Sequence, residues 1–301
     1  MSKGLSKRER ARWDALIERE GQAMGLSGCR PFLENKVVND IFYEGTFKGV
    51  PCVVKCSSRA TESIGNEYEM SRRLNAVAPV CAEPLALWRS PDGRRAFVVT
   101  RRLPGPSLAV VLAKAVGEEE AVGVLEDMVR IADALIKSGI VWRDIIPDNF
   151  MRDSDGHFKL IDAQFAIDRN DFREDPFLLK NWGYRMLAFA HHPMTAGYGW
   201  NDAAMMLFFV WKLSVSPRAI RLCERLRGMT KESAFPVKLT DDDERRLKWT
   251  LLRLRAAKAF ARSQSRKAGL NSRIAHIQMI LKNDHSLWDE VLFATPLERE
   301  R

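Results

Sequence analysis

Alternation of apolar and polar side chains marks the front part of the chain. Residues 36–56 (KVVNDIFYEGTFKGVPCVVKC) alternate in this way, are rich in Val, Phe and Tyr, and are interrupted by the turn-forming pair Lys48-Gly49. This pattern predicts two or three antiparallel strands. Residues 83–89 and 94–101 flank the turn sequence SPDG and predict a further hairpin.

Apolar residues spaced three and four apart dominate most of the remaining chain and predict amphipathic helices. The clearest rhythm begins at Val122 and continues through Leu125, Met128 and Ile131 to Leu135. Five segments are predicted to be helical: 7–24, 61–76, 118–138, 200–215 and 243–263.

The strongest break in the chain is Pro104-Gly105-Pro106, which is a candidate boundary between two lobes. Strand patterns precede this break, and helical patterns with one short strand near 158–161 follow it. We therefore expect an α+β fold with two lobes. The expected parts are a charged helical extension over 1–30, a small antiparallel β-rich lobe with one helix over 31–103, and a larger helical lobe over 104–301.

Composition excludes several classes of protein. With 301 residues, of which 46% are hydrophobic and 29% charged, the chain can build a sizeable core. Its longest apolar run, Ala203–Trp211, is shorter than the roughly 20 residues that a spanning helix needs. The basic N-terminus has no apolar core typical of a secretory signal, and the five cysteines are irregularly spaced. We expect a cytoplasmic protein without a disulfide framework or a zinc site.

The charge balance favours an anionic partner. The chain has 48 Lys and Arg against 39 Asp and Glu, which gives +9, and residues 215–275 hold 16 of these cations against 6 acids. Residues 245–255 (RRLKWTLLRLR) read as a basic amphipathic helix that could lie on an anionic membrane surface. Nucleic acid is the competing anion, but no nucleic-acid-binding module is readable, so no specific nucleic-acid partner is expected.

Five polar residues occur in an order that suits phosphate chemistry: Lys55, Glu67, Asp144, Asn149 and Asp162. A strand lysine can hold nucleotide phosphates, and a glutamate in the next helix can orient it. An aspartate in a loop can accept a hydroxyl proton. An asparagine five residues later and an aspartate after the next strand can ligate Mg²⁺ through hard oxygen atoms.

One point remains open from these residues alone. Glu62 and Glu69 lie in the same predicted helix as Glu67 and compete for its role.

The order of motifs resembles the protein-kinase-like superfamily over about residues 34–168. The sequence WRDIIPDN at 142–149 is similar to the family's H-R-D-x-x-x-x-N loop, and DAQ at 162–164 stands at the place of D-F-G. CVVK at 52–55 resembles the V-A-I-K strand, and FVVTRRL at 97–103 resembles the hinge between the lobes.

The resemblance implies ATP as a ligand. Lys55, oriented by Glu67, would hold the α- and β-phosphates. Backbone groups near Arg101 and Leu103 would meet the adenine.

The resemblance also implies a magnesium site and a catalytic base. Asn149 and Asp162 would ligate Mg²⁺, and Asp144 would orient and deprotonate the acceptor hydroxyl. Asp202 would be a candidate anchor for the loop that carries Asp144, since kinases have an acidic residue with this role at a similar place.

Departures from the family pattern narrow the class of kinase that we expect. No G-x-G-x-x-G lies between Glu34 and Gly45, Trp142 stands in place of the histidine, and no A-P-E follows Asp162. These differences argue against a regulated eukaryotic-type protein kinase. The chain is most similar to the bacterial lipopolysaccharide-core kinases, which phosphorylate heptose or Kdo on a lipid-anchored acceptor.

We therefore expect a kinase that phosphorylates a sugar hydroxyl, free or lipid-linked, with a possible peripheral position at the inner membrane. Two other functions stay open. One is an atypical protein Ser/Thr kinase, and the other is a pseudokinase scaffold that binds a partner without transferring phosphate.

Overall fold

A computed structural model of the protein describes residues 7–35, 40–57, 61–169, 201–233 and 241–261, with scattered positions from 263 to 281. The chain divides into two compact units, Met1–Asp168 and Arg169–Arg301. The break at Pro104-Gly105-Pro106 lies inside the first unit, and the boundaries expected from it stay a prediction.

The first unit begins with the predicted charged helix. Helix α1 (Lys7–Leu16) runs through a π-helical turn (Ile17–Gly21) into the short α2 (Gln22–Met24). Gly25 ends it with a φ of 104°, a conformation that only glycine adopts at little cost.

A five-stranded antiparallel sheet follows, with the strand order β1-β2-β3-β5-β4. Its strands are β1 (Leu26–Asn35), β2 (Asp40–Phe47), β3 (Val50–Ser57), β4 (Pro84–Arg89) and β5 (Ala96–Arg101). Lys48 and Gly49 form the two-residue turn between β2 and β3 with positive φ at both positions, as such hairpins require. The sheet therefore confirms the strands predicted within 36–56 and both arms of the later hairpin.

The pattern of apolar and polar residues does not predict strand β1. Its sequence, LSGCRPFLEN, has no regular alternation and includes Gly28 and Pro31. The register against β2 shifts between Ser27 and Arg30 and again between Pro31 and Leu33. Because such irregularities change which face a side chain occupies, the period of two is lost in the sequence although the strand is present.

Both faces of the sheet are covered. One face packs Val54, Phe97 and Val99 with Trp13 and Ile17 of the N-terminal helical segment. The opposite face packs Ala96 and Val98 against Ile64 of α3 (Thr61–Val77). Alternate residues of β3 point to opposite faces. Since Val54 belongs to the first face, the neighbouring Lys55 is directed toward α3.

Two small ladders complete the part of the first unit that bears on function. After α4 (Leu108–Leu112) and α5 (Glu118–Ser138), β6 (Ile140–Val141) pairs with β9 (Ile167–Asp168), and β7 (Phe150–Arg152) pairs with β8 (Phe158–Leu160). Helix α5 confirms the helix predicted over 118–138, and β8 confirms the strand near 158–161. The two strand pairings bring the segments 142–149 and 161–166 side by side.

The described part of the second unit is helical. It contains α6 (Asp202–Val210) with a 3-10 turn (Trp211–Leu213), α7 (Pro217–Ser233) and α8 (Asp241–Ala259). Asn201 caps α6, because its side-chain oxygen accepts a hydrogen bond from the Ala204 N–H at 3.0 Å. Within the described residues, every helix is too short or too polar to cross a bilayer. The protein is thus α+β with a five-stranded antiparallel sheet, and its arrangement in two lobes stays a prediction.

Candidate active site

Lys55 lies on a central strand, buried beneath α3. It stands opposite Phe42 of β2 and Val98 of β5, and its side chain is only 5% exposed. An ammonium group buried in this way needs charged partners to offset its lost hydration. Its Nζ atom lies 2.9 Å from Glu67 Oε2 and 2.7 Å from Asp162 Oδ1.

The pairing of Lys55 distinguishes among the three candidate glutamates of α3. Glu67 belongs to the buried face of the helix, together with Ile64 and Ser71. Glu62 is exposed, and Glu69 makes an ion pair with Arg72 one turn further along the helix. Glu67 is the one that contacts the strand lysine.

Asp162 reaches Lys55 from a strained backbone position. It follows β8 by two residues and adopts a left-handed conformation, with φ 65° and ψ 66°. Non-glycine residues occupy this region rarely, Asp and Asn more readily than most, and such strain is concentrated at functional sites. Its second carboxylate oxygen accepts a hydrogen bond from Gln164 Nε2 at 3.4 Å.

The loop that carries Asp144 is closed by Asn149. The Asn149 side-chain nitrogen donates to the Asp144 carbonyl oxygen at 3.0 Å and to its carboxylate Oδ2 at 2.9 Å. The Asn149 carbonyl accepts a hydrogen bond from the Ile161 N–H at 2.9 Å. This backbone bond joins the loop to the residue before Asp162, and it brings the two candidate motifs together.

The surroundings of Asp144 shift its acidity. Burial, together with the nearby negative charge of Asp162, raises the pKa of this carboxyl to about 6. The Asn149 hydrogen bond and the positive charges of Lys55 and Arg143 oppose that rise. A carboxylate poised near neutral pH is suited to accept a proton.

Three side chains that the sequence analysis did not single out hold the segment after Asp162. Asn66 Nδ2 donates to the carbonyls of Ala166 at 2.7 Å and Gln164 at 3.2 Å, with that of Ala163 at 3.5 Å. Arg143, itself buried with a φ of 69°, donates to the Phe165 carbonyl, and Arg73 pairs with Asp168.

Only weak signals in the sequence point to these residues. Asn66 is a poor helix former in the interior of a predicted helix, directly before Glu67. Arg143 is the arginine of the WRDIIPDN motif, directly before Asp144, but the motif alone assigns it no contact. The partners of both are backbone carbonyls about twenty or a hundred residues away, which a sequence pattern does not encode.

The residues expected to meet adenine lie where the sheet ends. Arg101 is the last residue of β5, and its N–H donates to the Glu83 carbonyl at 2.8 Å. Leu103 follows the strand, and within the described part of the chain no backbone hydrogen bond uses its N–H or its carbonyl.

The charge of the cluster suits a cation bound together with phosphate. Glu67, Asp144 and Asp162 supply three negative charges, and Lys55 and Arg143 supply two positive ones, which leaves an excess of one negative charge. Both side-chain hydrogen bonds of Asn149 use its nitrogen, so its oxygen is the atom suited to ligate a metal.

Asn149 and Asp162 therefore fit a Mg²⁺ site of the kind completed by substrate phosphates and water. Among the described residues, no group of three or more His, Cys, Asp or Glu side chains forms a self-sufficient metal site. Asp202 begins α6 in the second unit and is buried. The phosphate-covering loop is predicted to be missing or replaced by non-glycine residues around Asn35–Asp40, and residues 36–39 of this stretch lie outside the described residues. Residues 170–200, where an activation segment would follow Asp162, also lie outside them.

A scan against models of known protein families finds no match to this chain.

Proposed function

We propose that this chain is an ATP-dependent phosphotransferase of the protein-kinase-like type. The observation that carries the proposal is the buried contact of Lys55 with both Glu67 and Asp162, beside a loop in which Asn149 holds Asp144. In kinases a lysine on the third strand pairs with a glutamate of the following helix, and an aspartate after the catalytic loop binds the metal. The contact of Lys55 with Glu67 and the position of Asp162 after the Asp144 loop support the proposal.

Each residue then has a defined task. Lys55 would bind phosphate oxygens, and Glu67 would hold its ammonium group in place from α3. Asn149 and Asp162 would ligate Mg²⁺, which, when bound with ATP, neutralises charge on the phosphates. Asp144 would orient the acceptor hydroxyl and take its proton. The backbone at Arg101 and Leu103 would contact adenine.

The acceptor that we propose is a sugar hydroxyl, free or lipid-linked, of the kind found in the lipopolysaccharide core. Support comes from the resemblance to the bacterial core kinases and from Ala163-Gln164, which replace the Phe-Gly of regulated protein kinases. Such a reaction would take place in the cytoplasm, at the inner membrane.

The two alternatives predict different products. A pseudokinase scaffold would transfer no phosphate, although all five polar positions are filled in this chain. A protein Ser/Thr kinase would label protein rather than glycolipid. Incubation of the purified chain with γ-labelled ATP, Mg²⁺ and a bacterial extract, followed by separation of protein and glycolipid fractions, distinguishes the three.

Replacement of Asp144 by Asn tests the proposal directly. The change is isosteric and removes only the proton-accepting carboxylate, so transfer should fall by about 10²–10⁴-fold while ATP binding persists. Asp148→Asn is the matched control, because Asp148 is exposed in the same loop, and this variant should keep its activity. Wild-type transfer rates in the Asp144→Asn variant would refute the proposed role of this loop.

A further inference from the structure

Helix α8 of the second unit has one buried side and one exposed side. Leu247 is 1% exposed, and Leu254 and Ala257, on the same side by helical spacing, are at least partly covered. On the other side, Trp249 is 66% and Leu252 58% exposed. Large apolar side chains are thus presented to solvent by a helix that is already packed through its opposite side.

Basic residues flank this apolar pair. Spacing along the helix places Lys248 and Arg255 on one edge of the pair and Arg253 on the other, and all three are exposed. Phe260, just beyond the end of the helix, is 85% exposed. We call these six residues the α8 surface: Lys248, Trp249, Leu252, Arg253, Arg255 and Phe260.

The acidic residues of α8 are confined to its first turn. Asp241–Glu244 (DDDE) begin the helix, and Glu244 pairs with Lys248 at 3.0 Å. From 245 to 260 the sequence contains six Lys or Arg and no Asp or Glu. Beyond the first turn, every charged residue near the apolar pair is therefore a cation.

We infer that the α8 surface binds the face of an anionic lipid bilayer, with the helix lying parallel to the membrane plane. Interfacial helices combine an aromatic and aliphatic row, which enters the boundary between headgroups and acyl chains, with flanking cations that meet lipid phosphates. A nucleic acid would satisfy the cations and could stack on Trp249, but it would leave Leu252 without an apolar environment. The two features together favour lipid.

This inference does not depend on phosphotransfer, although it would bring the enzyme to a lipid-linked acceptor of the kind proposed above. It is measured on the full chain without ATP or acceptor. The Asp144→Asn variant should therefore bind vesicles as the wild type does, so that failure of one proposal is separable from failure of the other.

Co-sedimentation with acidic and neutral vesicles measures the electrostatic contribution to membrane binding. In about 0.1 M salt, vesicles of phosphatidylcholine mixed with phosphatidylglycerol should retain the wild-type chain, and pure phosphatidylcholine should retain it weakly. Each basic residue near an anionic surface increases the binding constant for that surface about fivefold. The variant Lys248→Gln/Arg253→Gln/Arg255→Gln should accordingly bind about a hundredfold more weakly.

The matched control removes the same charge from another helix. Arg221, Arg225 and Lys231 are exposed on α7, and their joint replacement by Gln should change vesicle binding much less. Equal losses in the two triple variants would overturn the inference, because binding would then reflect only the net charge of +9. Binding of short duplex DNA or RNA as tightly as acidic vesicles at the same salt would also overturn it.

The variants Trp249→Ala and Leu252→Ala measure the apolar contribution to vesicle binding. Both residues are exposed, so the variants should fold as the wild type does, which thermal unfolding verifies. They should lose the fraction of vesicle binding that persists at high salt, where charge attraction is screened. Trp211→Ala removes a half-exposed tryptophan of the 3-10 turn and should leave that fraction intact. Salt-resistant binding that is unchanged by Trp249→Ala would contradict insertion of α8.

Discussion

The proposed catalytic role of Asp144 would come at a cost in the stability of the fold. Burial, with Asp162 nearby, raises its pKa to about 6, so its charged form is disfavoured in the folded chain. Because the folded carboxyl binds its proton more tightly than the unfolded one, it lowers the stability of the fold progressively as pH rises from about 4 to about 6. Active sites commonly retain such unfavourable groups because the reaction requires them.

A measurable gain in stability follows for Asp144→Asn. We expect its free energy of unfolding to exceed that of the wild type by about 1–2 kcal/mol at neutral pH, and the gain to vanish below about pH 4. This figure allows for the partial exposure of Asp144 and for the lost bond from Asn149. Denaturant unfolding across this pH range measures it, with the exposed Asp148→Asn variant as control. A difference that stays constant with pH would contradict the burial of this carboxylate.

At the scale of elements, α3 connects the sheet to the segment that follows Asp162. Two neighbouring residues of this helix contact different elements. Glu67 pairs with Lys55 of β3, and Asn66 donates hydrogen bonds to three carbonyls of the 163–166 segment. Arg73, two turns later, pairs with Asp168 of β9. One helix thus sets the position of both the lysine and the proposed metal ligand.

Asn66→Ala should loosen this segment specifically. Each hydrogen bond contributes about 1 kcal/mol, and uncovered buried carbonyls add to the cost, so the variant should lose about 1–3 kcal/mol of stability. Hydrogen exchange should accelerate over 162–168, and phosphate transfer should slow more than ATP binding weakens. Asn75→Ala is the matched control in the same helix, because the Asn75 side chain bonds the backbone of Cys81, outside the 162–168 segment. If Asn75→Ala slowed transfer equally, Asn66 would have no special positioning role.

For the whole molecule, ATP should stabilise the fold in a metal-dependent way. A ligand present at about 100 times its Kd adds about 2.7 kcal/mol, which corresponds to several degrees in Tm. We expect this shift with ATP and Mg²⁺ and a smaller one with ATP and a chelator.

Two variants separate the contributions of phosphate and metal contacts. Asp162→Asn should make the ATP-induced shift in Tm independent of Mg²⁺, because this residue acts through the metal. Lys55→Met should reduce the shift with and without Mg²⁺, because the lysine meets phosphate directly. Asp155→Asn, in the exposed turn between β7 and β8, serves as control. A wild-type shift that is already independent of metal would contradict the assignment of Asp162.

The sequence by itself determined most of the local structure and the candidate residues. Alternation predicted β2 and β3, the turn sequence SPDG predicted β4 and β5, and helical patterns predicted α1, α3, α5, α6 and α8, because each of these signals depends on residues that are close together in the chain. The order of Lys55, Glu67, Asp144, Asn149 and Asp162 was also readable, since each stands at a recognisable place in a motif.

Tertiary structure alone decided which of these residues meet. The direction of Lys55 toward α3, and the choice of Glu67 over Glu62 and Glu69, depend on which helical face packs on the sheet. Strand β1 cannot be predicted from the sequence, because its two register shifts interrupt the alternation of apolar and polar residues. Its hydrogen bonds with β2, which hold it in the sheet, form only in the folded chain. Asn66 and Arg143 act on backbone carbonyls distant in sequence, and carbonyls are common to all residues. No side-chain pattern can therefore specify such contacts before the chain has folded.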